Sequence, residues 1–291
     1  MKRSVRAAAL LLVLALLLGL SGCSLFDTKM ARAIQKLSKT ESLHLDVYLR
    51  GTVDVTAGGQ TVALPGKVSG DVELMLDPVK AAFDLDLAYL GQEQRLRGYL
   101  EDKDGTCDLY TNLNGGSAWE KRSFNEKKDG PRVRGLRYFI DGAETFTPVK
   151  TEEILGLACT RYDGAVTSAF LQGLVDLYDV GGQLEEAYGL SWQPDLFAGK
   201  SDVPARMWLE EDSGRLVRID MDLSDLGREL MDTLLADMRE ETGLAGLDME
   251  VSLSELVLSL GFTGYDQLED IPMPEEVFAA WGGGDKQPWE S

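Results

Sequence analysis

Two hydrophobic rhythms divide the chain. Lys2, Arg3 and Arg6 precede an unbroken apolar stretch at residues 7–18, after which Gly19, Ser21 and Gly22 lead to Cys23. A basic start, an apolar centre and small residues before a cysteine form the pattern of an export signal. The stretch is shorter than the roughly 20 apolar residues that a spanning helix needs. Beyond it, residues 28–39 place Met30, Ala33, Ile34 and Leu37 at helical spacing, with Lys29, Arg32, Gln35, Lys36 and Lys39 elsewhere. This predicts a short amphipathic helix.

The period then drops from 3.6 to about two. In "SLHLDVYLRGTVDV", Leu43, Leu45, Val47, Leu49, Val53 and Val55 alternate with His44, Asp46, Arg50, Thr52 and Asp54, so one strand face is buried and the other wet. The alternation returns through Val68, Val72, Leu74 and Leu76, and again through Val79, Ala81, Phe83, Leu85, Leu87 and Tyr89. Asp77-Pro78 and Gly91 punctuate these runs as turns. Residues 94–100 and 106–113 form a further pair joined at Asp104-Gly105, and Asn114-Gly115-Gly116 turns into "SAWEKRSF". The first half therefore reads as an antiparallel meander.

Residues 125–204 carry mixed signals. Residues 132–139 read as a strand, and 167–178 bear Phe170, Leu171, Leu174, Val175 and Tyr178 on a helical stripe closed by Gly181-Gly182. Strands return in "ARMWLEEDSGRLVRIDMDL", with a turn at Asp212-Ser213-Gly214. Leu226, Leu230, Leu234 and Met238 share one helical face, which predicts a helix inserted between strands. In "MEVSLSELVLSLGF" the apolar positions slip from odd to even near Ser254-Glu255, the mark of a bulge or bend. The sum is an α+β chain with one strongly curved antiparallel sheet packed around helices.

Charge and cysteine content narrow the setting. Of 291 residues, 29 are basic and 49 acidic, and residues 1–22 hold three of the basic ones and none of the acidic ones. The remainder thus carries an excess of 23 negative charges, which repels phosphate backbones and argues against nucleic acid as a partner. With Cys23 set aside, Cys107 and Cys159 are the remaining thiols. They are candidates for a disulfide, which persists outside the cytoplasm, or for two buried free thiols acting as small apolar side chains.

Leu20-Ser21-Gly22-Cys23 resembles a bacterial lipobox. The resemblance implies a Cys23 thiol alkylated with diacylglycerol after removal of residues 1–22, giving a firm membrane anchor, since each buried methylene contributes about 0.8 kcal/mol. The lipobox, the element order, the hairpin motif from Tyr110 through Trp119 to Lys121, and the closing "DIPMPEEV" of residues 270–277 together look like the LolA-like and LppX/LprG-like bacterial lipoproteins. That likeness implies an unclosed β-barrel wrapped around helices, with a hollow able to take acyl chains. The expected division is a signal peptide at 1–22, a lipidated tether at 23–27, one domain at 28–281 and a flexible tail at 282–291.

Catalytic signatures are wanting. His44 is the only histidine and lies on a polar strand face beside Asp46, and there is no nucleophile elbow, P-loop or dinucleotide fingerprint. Asp102-Lys-Asp104-Gly105 opens like a calcium loop but has Leu113 where the twelfth-position glutamate belongs. Asp220 and Asp222 share one strand face as solvated acids. No catalytic residue, cofactor or metal is expected. Trp119, Trp192, Trp208 and Trp281 read as core or rim residues, with the lining of a carbohydrate or lipid pocket as the alternative. The expectation is a non-enzymatic, membrane-anchored extracytoplasmic protein that binds lipid or another hydrophobic ligand against Leu74, Phe83, Leu85, Leu87 and Val217. Its alternative is a surface interaction or scaffold lipoprotein with a filled core and an envelope protein as partner.

Overall fold

The computed structural model describes residues 29–37, 39–76, 78–103, 106–116, 118–125, 146–177, 197, 199–242 and 249–281. The leader, Cys23, the turn at Asp104-Gly105, the expected strand at 132–139, Gly181-Gly182, Trp192 and the tail from 282 lie outside the described residues.

Eleven antiparallel strands form one sheet: β1 (Ser42–Ala57), β2 (Gln60–Leu76), β3 (Val79–Tyr89), β4 (Gln92–Lys103), β5 (Thr106–Leu113), β6 (Glu120–Asn125), β7 (Thr147–Ile154), β8 (Leu157–Val166), β9 (Val203–Glu210), β10 (Leu216–Asp222) and β11 (Met249–Thr263). Their spatial order is β6-β5-β4-β3-β2-β1-β11-β10-β9-β8-β7. Two meanders therefore meet where the first strand pairs with the last, and among the described residues β6 and β7 are the edges. The sheet is unclosed. One apolar face of it, from Leu109 on β5 to Tyr162 on β8, forms a single buried cluster with the helices.

Helix α1 (Lys29–Leu37) precedes the sheet, α2 (Ser168–Leu177) joins β8 to β9, α3 (Ser224–Thr242) joins β10 to β11, and α4 (Glu275–Trp281) ends the described chain. Their apolar stripes supply Met30, Ala33 and Leu37 from α1, Phe170 and Leu171 from α2, and Leu226 and Leu230 from α3 to the inner core. Two caps set the start of α2. The Thr167 hydroxyl accepts from the Phe170 amide and the Asp202 carboxylate from the Ser168 amide, each satisfying a free N–H of the first turn of α2.

The phase slip in the last strand is a bulge. Thr52 pairs with Glu255 and Val53 with Leu253, so Ser254 is the extra residue. The β7–β8 hairpin, by contrast, has no alternating signature. Edge strand β7 is polar and mostly exposed on both faces, while β8 has buried residues on both. Its tight turn, Leu155-Gly156, has positive φ at both positions, 52° and 80°, which is the twist that two-residue hairpins require. Edge β7 is protected against strand addition by Pro148, by the irregularity between Pro148 and Lys150, and by its charged side chains.

Candidate functional site

Cross-strand pairing builds the inner face row by row. Leu43, Leu45 and Val47 on β1 stand opposite Leu74, Val72 and Gly70 on β2, which face Ala81, Phe83 and Leu85 on β3. Phe83 then pairs with Gly98 on β4, and any Cβ at Gly98 would overlap the Phe83 ring. The absent side chain lets the ring lie flat across the sheet.

Cover along this face is uneven. At the end where β1 begins, Leu43, Leu45, Leu74 and Ala81 are at most 1% exposed. There the Lys36 ammonium donates to the Ser213 carbonyl beside the β9–β10 turn, and the Tyr265 hydroxyl donates to the Leu216 carbonyl, so α1 and the post-β11 turn close that end. Toward the hairpin tips the rows continue as Leu49, Val68 and Leu87, then Val53 with Leu64, then Val55 with Val62. Leu49, Val68 and Leu87 are half-buried, Val62 is 56% exposed, and Leu113, opposite Leu96, is 40% exposed. The apolar strip thus runs out from a packed core toward solvent.

Leu74, Phe83 and Leu85 come together in the inner core, and Leu87 extends the same face toward the open end. Val217 does not join them. β10 pairs with β9 through Leu216–Leu209 and Arg218–Trp208, so Val217 is an extra residue, and it packs with Cys159 and Trp208 in a separate cluster. The alternation that put Val217 on the inner face breaks at this irregularity.

The candidate disulfide is not formed. Cys107 and Cys159 are both free thiols, Cys107 packed against the inner core and Cys159 in the cluster with Trp208. Burial, reinforced by Asp102 and Asp108, pushes the Cys107 thiol up to about 12. Burial also raises Cys159. Neither has the thiolate character of a nucleophile.

The outer face carries two structures that sequence periodicity missed. Tyr99, Tyr110, Trp119, Ile271 and Val277 form a buried cluster, with Trp281 packed on it. Here the hairpin motif and the closing motif of residues 270–277 dock on one another. The Tyr99 hydroxyl donates to the Ile271 carbonyl at 3.4 Å, the Trp281 indole to the Trp119 carbonyl at 3.2 Å, and Lys80 pairs with Asp270 at 2.6 Å. That last ion pair holds the Asp270 carboxyl below its ordinary value. A cue lay in Ile271, Met273 and Val277, grouped around Pro272 and Pro274, a pattern with no period of its own.

Farther across, a recess of about 1040 Å³ is lined by charged side chains including Arg50, Arg206, Arg218, Asp163, Asp220 and Glu255. At its margin the Trp208 indole donates to Glu152 at 2.6 Å, and the Arg218 guanidinium stands 5.4 Å from the ring centre. Such a wall suits polar groups.

No protein-family model matches the sequence, and no curated protein matches it. Among solved structures, the chain is similar to the lipoprotein LppX of Mycobacterium tuberculosis, at 14% identity over 84% of this chain and 96% of that one, with a TM-score of 0.43. It is also similar to LprF of Mycobacterium bovis, at 14% identity over 84% and 95%, with a TM-score of 0.45. The LppX-type resemblance in the sequence thus has a counterpart in the structure comparison. Among the described residues, no helix is long and apolar enough to cross a membrane.

Proposed function

We infer that this chain is a lipid-anchored extracytoplasmic binding protein, not an enzyme, whose inner sheet face takes an acyl chain or another hydrophobic ligand at the hairpin-tip end. Residues 1–22 act as the export signal, 23–27 as the tether with its lipid on Cys23, 28–281 as the binding domain and 282–291 as a tail. The observation that carries the binding reading is the loss of cover along one apolar strip, from residues at most 1% exposed at Leu43 and Leu74 to 56% at Val62. Covering such surface contributes about 25 cal/mol per Å², and a contiguous apolar patch of this kind marks a binding surface. A strip closed by helices at one end and open at the other admits an elongated ligand lengthwise.

The chain beginning at Ser24, free of the covalent lipid, is the material for the test. Organic extraction and mass spectrometry are expected to recover an acyl lipid, and Leu87→Arg is expected to lower recovery at least about tenfold, since an unpaired charge at an apolar contact costs more than 1.4 kcal/mol. Lipid-free protein across several preparations would overturn the reading in favour of a surface interaction lipoprotein with a filled core. Intact-mass analysis of the native product tests the anchor separately: a diacylglyceryl adduct at residue 23, lost in Cys23→Ser, is the expected result.

A further inference from the structure

We propose that His44, Asp46 and Asp71 form a binding site for a divalent transition-metal ion of the zinc class on the outer face of the sheet. His44 and Asp46 are two residues apart on β1 and so project from the same face. Asp71 stands directly opposite Asp46 on β2, with His44 at the neighbouring pair. One donor atom from each of the three lies within 4.8 Å of the other two, and His44 Nε2 is 3.4 Å from Asp71 Oδ1. Tetrahedral ligands about 2.0–2.1 Å from zinc stand about 3.4 Å from one another. The His44–Asp71 edge already has that length, and side-chain rotation of exposed Asp46 brings in the third donor. Imidazole with two carboxylates suits zinc, copper, nickel or ferrous iron, and three protein ligands leave a coordination position for water.

Two further features of the fold fit a cation here. Carboxylates directly opposite each other on neighbouring strands destabilise a sheet, and among the described residues neither Asp46 nor Asp71 has a lysine or arginine partner. A bound cation converts that repulsion into two ligand bonds. Room has also been left for the ligands: a Cβ at Gly261, across from Asp46 on β11, would stand 3.1 Å from Asp46 Oδ2, and one at Gly264 would stand 3.0 Å from the His44 Cβ. The His44 side chain is 34% exposed, which gives an ion access from solvent.

His44 is the only histidine in the chain, so its imidazole resonances report occupancy of this site alone. The full chain, held in detergent and purified without a polyhistidine tag, is stripped with chelator and titrated with Zn²⁺, then with Co²⁺ as a spectroscopic substitute. One equivalent is expected to bind with a Kd of about 10 μM or tighter. The His44 resonances should shift in step with it, and Co²⁺ should give the visible bands of a low-coordinate site. His44→Ala is expected to weaken binding by at least about 100-fold, and Asp71→Asn by at least about tenfold. Asp225→Asn, altering an exposed carboxylate paired with Arg228 on α3, should leave it unchanged. Absence of saturable one-to-one binding below about 1 mM overturns the proposal. So does retention of wild-type affinity in His44→Ala and in the closer-sized His44→Gln, both checked for folding by circular dichroism. The site faces away from the apolar strip, so a failure of lipid to copurify has no bearing on this titration.

Discussion

Replacing Ile271 with alanine tests whether the C-terminal segment is held to the sheet by packing. Ile271 is 1% exposed in the outer cluster with Tyr99, Tyr110, Trp119 and Val277, and the change removes three carbons. At about 0.8 kcal/mol per buried methylene the transfer loss is about 2.4 kcal/mol. The cavity left behind adds to it, for a total near 3.5 kcal/mol within the roughly 2–5 kcal/mol seen for such truncations. The polar contacts are weaker by the same geometry. Lys80–Asp270 joins a mostly buried lysine to an aspartate 60% exposed, and exposed pairs contribute about 0–1 kcal/mol. The Tyr99 hydroxyl bond is long at 3.4 Å. Urea unfolding followed by tryptophan fluorescence measures the difference directly, with Trp119 and Trp281 inside the cluster as reporters. With a slope of roughly 3 kcal/mol per M for a chain of this size, Ile271→Ala should lower the midpoint by about 1 M, Val277→Ala by about two-thirds as much, and Asp270→Asn by less than about 0.3 M. A midpoint unmoved by Ile271→Ala, or moved more by Asp270→Asn, would refute docking by burial.

Three other expectations follow from single contacts. Gly98→Ala should cost about 1–3 kcal/mol, because the new methyl meets the Phe83 ring; Phe83→Leu in the same chain should relieve part of that cost, giving non-additive thermal shifts. Glu152 and Glu229 have folded-state pKa values below their ordinary 4.5, through hydrogen bonds first from Lys150 and from Ser201 respectively. Their stabilisation is therefore fully present above pH 4.5 and lost as the pH falls through the lower folded values, so a melting-temperature profile from pH 6 to 3 should flatten in Glu229→Gln. With both thiols free, reductant should leave the melting temperature unchanged, and Cys107 and Cys159 should resist a thiol reagent until denaturant is added; a drop in melting temperature on reduction would reinstate the disulfide.

The legible parts of this fold are those where one face of an element is buried and the other wet. β1 and β3 alternate because odd residues enter the core, and α1 shows its stripe because Met30, Ala33 and Leu37 pack inward while Arg32, Lys36 and Lys39 stay exposed. Even the bulge at Ser254 was visible, since an inserted residue flips the parity of everything after it. β7 and β8 were hidden for the opposite reason: one is wet on both faces and the other has its few buried residues spread over both, so neither has a period. The inner-face placement of Leu74, Phe83, Leu85 and Leu87 followed from parity, whereas Val217 sits at an irregularity between Leu216 and Arg218 that its short strand did not betray.

What no local pattern contains is the identity of the neighbour. His44 and Asp46 are two apart in sequence, but Asp71 reaches them only through the pairing that sets Asp46 against Asp71, itself fixed by the two-residue turn at Gly58-Gly59, where φ is 57° and 76°. One residue more or less in that turn would shift every pair on β1 and β2 and carry Asp71 to the other face. The same shift would bring Val72 and Leu74 out of the core. The register that seals the inner face is therefore the register that assembles the three outer donors, so the fold cannot satisfy one face while misplacing the other.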